Sequence, residues 1–214
     1  MQKNDNRNYK FSNDSESRRG EYPIIVSLVK RGSKIIDLGC GDGSLLKLLK
    51  KTKNAKGTGI EISKSGVRSS RQKKLKVIEG RIDVKLPYKD KEFDYAICNV
   101  TLQMVMYPEV LLSEMHRISR YQIVTFPNFA FILNRLELLT KGQMPKTMIP
   151  GYEWYSTGHI HQLSIKDYRR FCQTNGYEVT REAHIFPQSL FGSTHVVLHG
   201  LPNLFASTAI FLTK

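Results

Sequence analysis

The stretch IIDLGCGDGSLL at residues 35–46 constrains the fold of this chain more than any other. A β-branched apolar run leads through Asp37 to three alternating glycines, Gly39, Gly41 and Gly43, and a leucine-rich run follows. The first run is typical of a buried strand, whereas the leucines have helical spacing. The sequence therefore predicts a strand, a glycine turn and a helix. The turn is either a tight connection or a cradle for a nucleotide-like cofactor.

Strand and helix patterns alternate along most of the chain. Strands are predicted at 34–39, 56–62, 75–80, 93–100 and 121–127, and helices at 22–33, 44–51, 63–73 and 108–119. This alternation predicts an α/β, Rossmann-like, doubly wound and mostly parallel sheet with right-handed crossovers. A further helix at 164–176 and two closing strands, within 177–186 and 204–214, predict an antiparallel hairpin at the edge of a seven-stranded sheet.

The chain of 214 residues is long enough for one sizeable core. Residues 1–20 are polar and predict a flexible arm, and residues 21–214 predict a single domain. Residues 128–163 interrupt the alternation and predict a helical, lid-like insertion over the carboxyl ends of the strands. Three widely separated cysteines favour a reducing cytoplasm over a disulfide framework, and no apolar stretch is long enough to span a bilayer.

The chain is strongly basic, with a net charge of +14. Such a charge attracts nucleic acid, acidic lipid or an acidic protein. The lysines and arginines are nevertheless spread out, in runs at 47–56 and 68–76 and beyond, without interleaved aromatic residues. Solvated outer faces of helices are the simpler interpretation, and nucleic-acid binding stays an open alternative.

The spacing of the glycines excludes two common phosphate cradles. The turn lacks the last glycine of GxGxxG, because Ser44 stands there, and no Gly-Lys-Ser/Thr of a P-loop follows. An acidic residue, Glu61, ends the second predicted strand 22 residues after Gly39, at the distance where a carboxylate meets ribose hydroxyls. Asp37 is placed to fix the turn or to receive a cationic amino group, and Asn99 ends the fourth strand beside it.

With IIDLGCGDGSLL, TGIEIS and FDYAICN in this order, the chain resembles class I S-adenosylmethionine-dependent methyltransferases. The resemblance implies that the glycine turn faces the methionine part of the cofactor and that Glu61 binds its ribose. S-adenosylmethionine or S-adenosylhomocysteine is then the expected ligand. Contacts with it are expected from Asp37, Gly39, Cys40, Gly41, Gly43, Glu61, Ile62, Ile82, Asp83 and Asn99.

A narrower resemblance extends into the insertion. The motifs TLQMV, YPEVLL, FPNF, LTKGQMP and WYSTGHIH are similar to those of the methionine biosynthesis MetW family. This resemblance implies cooperation with homoserine O-acetyltransferase (MetX), in which the bound cofactor reports the methionine supply. The alternative is a working methyltransferase for a small molecule.

One position departs from the methyltransferase pattern. These enzymes usually carry an acidic residue directly after the glycine that ends the third strand, where it accepts the adenine amino group, but Gly80 is followed here by Arg81. An arginine cannot accept a hydrogen bond. Either Asp83 takes over, or backbone and apolar contacts hold the adenine, or affinity is weaker.

Catalytic residues are not identified by any motif. The place after the fourth strand reads NVTLQ, which lacks the Asn-Pro-Pro-aromatic signature of nucleic-acid amino methyltransferases. Tyr155 and His161 in the WYSTGHIH segment are the candidates to approach a methyl acceptor, since histidine serves as a base near neutral pH. Packing of the insertion is the competing role. The histidines show no ligand-like spacing, so no metal site is expected.

Overall fold

A seven-stranded sheet forms the centre of the protein in the computed structural model, which describes residues 19–146, 154, 158–185 and 201–214. The predicted arm at 1–20 lies almost wholly outside these residues. In chain order the strands are β1 (Lys34–Leu38), β2 (Lys56–Glu61), β3 (Lys76–Glu79), β4 (Phe93–Asn99), β5 (Ser119–Pro127), β6 (Val179–Ile185) and β7 (Thr208–Thr213).

The strands are arranged in the order β3-β2-β1-β4-β5-β7-β6. β1 runs parallel to β2 and β4, and the outer pairs β2–β3 and β4–β5 are parallel as well. β7 runs antiparallel both to β5 and to the edge strand β6. The predicted mostly parallel sheet with an antiparallel hairpin at its edge is confirmed.

Seven helices in the described residues connect and cover the strands. They are α1 (Glu21–Leu28), α2 (Ser44–Lys53), α3 (Lys64–Gln72), α4 (Pro108–Ile118), α5 (Ile132–Lys141), α6 (Ile165–Asn175) and the short α7 (Pro202–Phe205). The prediction that the first helix reaches residue 33 is wrong. α1 ends at Leu28 because Val29 adopts extended dihedral angles, with φ −83° and ψ 127°.

The core has two halves that follow the two-residue repeat of the strands. Ile36 and Leu38 of β1 belong to one buried apolar cluster, whereas Ile35, directly before them, belongs to the other. In β7, Phe211 and Leu212 divide in the same way. Because successive side chains of a strand point to opposite faces, each cluster fills one face of the sheet.

The three cysteines are buried free thiols. Among the described helices, none has the length and apolar character needed to cross a membrane.

Candidate cofactor site

The glycine turn follows β1 and is tied to the end of β2. The N–H groups of Gly39 and Cys40 both donate to the Ile60 carbonyl, at 2.8 and 3.1 Å. Gly39, Gly41 and Gly43 all have positive φ, at 79°, 56° and 75°. A Cβ at Gly41 would meet no atom within 4 Å, so the middle of the turn faces open space. The turn is therefore both rigidly placed and accessible to a ligand.

The Glu61 carboxylate holds this turn in place. Its Oε2 accepts a hydrogen bond from the Gly41 N–H and its Oε1 accepts one from the Ser63 N–H, both at 2.8 Å. Ser63 caps the start of α3. The buried side chain thus joins the cradle to the next helix. Each carboxylate oxygen has a second lone pair, so the binding of ribose by Glu61 stays a prediction beside this observed role.

A second polar cluster braces the turn from α2 and the end of α3. Lys73 Nζ contacts the Asp42 carboxylate at 2.5 Å, the Asp42 carbonyl at 3.0 Å and Ser44 Oγ at 3.1 Å. Burial raises the pKa of Asp42, but the hydrogen bonds from Lys73 and Ser44 outweigh burial and hold this pKa below its ordinary value. The sequence analysis missed Lys73, which lies in a basic run interpreted as a solvated face.

Asp37 is the most unusual ionisable group of the site. Its side chain is 1% exposed, and its Oδ1 finds no hydrogen-bond partner in the described part of the chain. Burial, followed by the charge of Glu61, raises its pKa to about 7. A buried carboxylate with an oxygen that lacks a hydrogen-bond partner carries a desolvation cost that a cationic ligand group would offset. This arrangement fits the predicted role of Asp37 toward an amino group.

We expect a pH dependence of stability that Asp37→Asn removes. The folded pKa of about 7 lies above the ordinary 3.8, so the folded state keeps a proton that the unfolded state loses. The resulting stabilisation is full below about pH 4 and is lost as the pH rises toward 7. Thermal unfolding at about pH 5 and about pH 8 should show the wild type losing roughly 5 °C or more relative to the variant. Parallel changes in the two melting temperatures would contradict this assignment.

The end of β4 closes the cradle on its other side. Thr101 Oγ1 lies 3.4 Å from the Gly39 carbonyl and donates to the Asn99 carbonyl at 3.0 Å. Asn99 Oδ1 accepts a hydrogen bond from Thr125 Oγ1, and Asn99 Nδ2 donates to Glu21 of α1 at 3.3 Å. Val100, which lies between Asn99 and Thr101 in the chain, has φ 49°, and this is rare for a β-branched residue. The structure therefore brings Asn99 beside the glycine turn through a strained connection.

Asp83, which follows β3, binds the loop after β4 through hydrogen bonds. It receives two hydrogen bonds from Arg81, at 3.0 and 2.9 Å, and two from the N–H groups of Met106 and Tyr107, at 3.0 and 3.2 Å. Burial raises the pKa of Asp83, but these contacts outweigh burial and lower it. An adenine amino group would have to share this carboxylate with four donors.

The two isoleucines predicted to contact the cofactor differ in exposure. Ile62, directly after Glu61, is largely exposed, whereas Ile82 is buried in the core. Ile62 is therefore available for apolar contact with the adenine ring, whereas Ile82 packs in the core under the loop that contains Asp83. This geometry favours the alternative in which apolar contacts hold the adenine.

The insertion is attached to the segment after β4 by backbone hydrogen bonds. The N–H groups of Ile160 and His161 donate to the Gln103 carbonyl, at 2.9 and 3.1 Å. His161 Nε2 lies 3.4 Å from the Met106 carbonyl. His161 thus anchors the insertion next to the loop held by Asp83. The other candidate, Tyr155, lies outside the described residues.

A small pocket lies between residues of the insertion and the carboxyl ends of β4 and β5. Two buried amide side chains that the sequence analysis missed, Gln103 and Asn134, contribute to its wall together with His159 and His161. Their nitrogens donate to backbone carbonyls, at 3.3 Å to Val100 and 3.0 Å to Phe129. Each amide oxygen is buried without a partner among the described residues. Asn134 is a polar residue within an apolar helical pattern, and this was the signal by which the sequence could have marked it.

Comparisons with known proteins agree with this architecture. A SAM-dependent methyltransferase of Thermotoga maritima matches with a TM-score of 0.69 and 21% identity, over 90% of this chain and 86% of its own. Another from Methanosarcina mazei matches with a TM-score of 0.63 and 19% identity, over 90% and 96%. The predicted class I methyltransferase fold is confirmed.

Sequence relatives narrow the assignment. The bifunctional methionine biosynthesis protein MetXA/MetW of Rhodopirellula baltica is 33% identical over an alignment of 157 residues, which covers 68% of this chain and 25% of that protein. The chain thus spans about a quarter of the length of this relative. A family model described as methionine biosynthesis protein MetW matches residues 19–213. The chain belongs to the MetW family.

Proposed function

We propose that this protein binds S-adenosylmethionine or S-adenosylhomocysteine in the cradle between β1, β2 and β4. The observation that carries this proposal is the buried Oδ1 of Asp37, which has no hydrogen-bond partner among the described residues, next to a glycine turn whose Gly41 faces open space. A cationic amino group supplies what Asp37 lacks, and the free space admits the rest of the ligand. Glu61 positions the turn, and Ile62 offers an apolar contact for the adenine.

We further propose that the bound cofactor reports the methionine supply and that the protein supports homoserine O-acetyltransferase, in the cytoplasm. The relative whose name joins MetXA and MetW motivates this step, because fusion of two proteins keeps their domains at a high effective concentration. The cytoplasm suits three buried free thiols. Supporting the acylation of homoserine requires no catalytic residue in this chain.

Two measurements test the proposal. Calorimetric titration of the full chain with S-adenosylhomocysteine should show saturable binding that Asp37→Asn weakens by roughly tenfold or more. Mixing the chain with purified homoserine O-acetyltransferase of the same organism should give a complex and a changed acyltransferase rate. Absence of both the complex and the rate change would refute the regulatory role, whereas absence of titration heat and of thermal stabilisation would refute cofactor binding.

The small pocket next to the insertion favours a second candidate, an active methyltransferase for a small molecule. It has room for about one water-sized group, and two amide oxygens in its wall that lack partners among the described residues are suited to a single donor group of a ligand, such as an amine or a hydroxyl. Labelled methyl groups should then pass from S-adenosylmethionine to a metabolite extract, and His161→Ala should reduce the transfer. Label that stays at background with the wild type would count against this candidate.

A further inference from the structure

α5 of the insertion is oriented opposite to an ordinary surface helix. Its one buried residue is the polar Asn134, at 2% exposure. Three of its four leucines are exposed instead, Leu136 by 45%, Leu138 by 50% and Leu139 by 81%. A surface helix normally packs its apolar stripe against the core and leaves its polar side in water. α5 does the reverse.

Polar contacts join α5 to the segments directly before and after it. Asn134 Nδ2 donates to the Phe129 carbonyl at 3.0 Å, and Arg135 Nε donates to the Ala130 carbonyl at 2.6 Å. Glu137 reaches the backbone N–H of Lys146 at 3.0 Å. A helix of ten residues is marginal in water without apolar packing. Burying one leucine side chain is worth about 2 kcal/mol, so the exposed face offers binding energy that the described fold leaves unused.

The apolar positions on one side of α5 have the spacing of a helix that docks into a groove. The half-buried Ile132 and the exposed Leu136 and Leu139 follow one another at i, i+4 and i+7 and therefore share one face. The exposed Arg135 borders this face, within a chain of net charge +14. A matching surface is an apolar groove with an acidic rim.

We propose that this face of α5 is the docking surface for homoserine O-acetyltransferase, an inference that rests on the proposed function. The relative that carries both names in one protein identifies the occupant. The position of α5 connects docking to the rest of the site, because Asn134, on the opposite side of the same helix, contributes to the wall of the small pocket next to the insertion. A partner on the outer face thereby contacts the element that roofs the site.

The test uses the full chain with Leu136→Glu and Leu139→Glu combined. Both positions are exposed and glutamate favours helices, so the fold should persist. The matched control is Ile78→Glu, the same kind of change at an exposed position of the edge strand β3, far along the sheet from β5. Calorimetric titration with purified homoserine O-acetyltransferase should show binding at least about tenfold weaker for the double variant, and within about twofold of wild type for the control.

The other measurements separate the docking surface from the proposed function. Circular dichroism and S-adenosylhomocysteine affinity should be unchanged in the double variant. If wild type and double variant bind the acetyltransferase equally well, the docking surface is wrong and the regulatory function stands. If the wild type does not bind the acetyltransferase, both are wrong. If the wild type alone forms a dimer that the double variant abolishes, a second copy covers α5 and the inference is overturned.

Discussion

Glu61→Gln is expected to weaken S-adenosylhomocysteine binding roughly a hundredfold and to lower the free energy of unfolding by about 3 kcal/mol. The carboxylate accepts hydrogen bonds from two backbone N–H groups, of Gly41 and Ser63. Glutamine keeps one acceptor oxygen, but its NH₂ group then faces a backbone donor. One buried N–H loses its partner, the other loses a charge-assisted bond, and ligand binding must reorder the glycine turn.

The control for this prediction is Glu79→Gln on the neighbouring strand. Glu79 is the register partner of Glu61 in the β2–β3 pair, and its side chain is exposed. This variant should match the wild type in urea unfolding and in calorimetric titration. Glu61→Gln with an affinity within about threefold of wild type would show that the turn keeps its conformation without this carboxylate.

Gly39→Ala is expected to lower the melting temperature by about 10 °C. At φ 79°, a side chain costs about 1 to 2 kcal/mol in backbone strain. A Cβ at this position would also lie 2.4 Å from Thr101 Cγ2 and 2.8 Å from Thr101 Oγ1. Overpacking of that kind costs about 1 to 3 kcal/mol more. Relief of the clash would push the end of β4 away from the cradle, so ligand binding should fall as well.

Two further variants separate the cost of backbone strain from the cost of the steric clash with Thr101. Gly142→Ala at the end of α5 has a similar φ of 61°, but its Cβ would meet no atom within 4 Å, so it should cost only about 1 kcal/mol. Thr101→Ala in the Gly39→Ala background should restore part of the lost stability. Equal melting temperatures for Gly39→Ala and Gly142→Ala would mean that the contact with Thr101 is easily relieved.

Sequence patterns were sufficient for the order and type of the main elements. The runs that became β1 and β4 alternate between the two apolar clusters, and the leucines of α2 repeat with helical spacing. These periodicities are local properties of the chain. Boundaries, by contrast, depend on how segments pack. The division into an arm, one domain and an insertion at 128–163 therefore stays a prediction.

The roles of charged residues in the site depended on pairings between distant parts of the chain. Lys73 reaches Asp42 across 31 positions, and Asp83 reaches the N–H of Met106 across 23. Neither spacing is a motif, because the crossover helices and loops between the strands decide which side chains meet. Glu61 was identified by its distance from the glycines, but its double contact with backbone amides was not predicted.

α5 shows the limit of periodicity most clearly. Its amphipathic pattern predicts a helix, and the helix is present at Ile132–Lys141. The pattern does not state which side faces the core. Asn134 packs inward, where its amide satisfies the Phe129 carbonyl, and Leu136 and Leu139 on the opposite side face outward.

The strand order has a consequence for how the protein is made. Among the described strands β6 pairs with β7 alone, and β7 is later in the chain than β6. During vectorial synthesis on the ribosome, β6 therefore emerges before this partner strand. Its Val179–Ile185 segment waits as an unpaired edge until Thr208–Thr213 fits between it and β5. The parallel half that carries the cradle can form earlier, so the proposed ligand would stabilise a nascent chain whose other edge is still open.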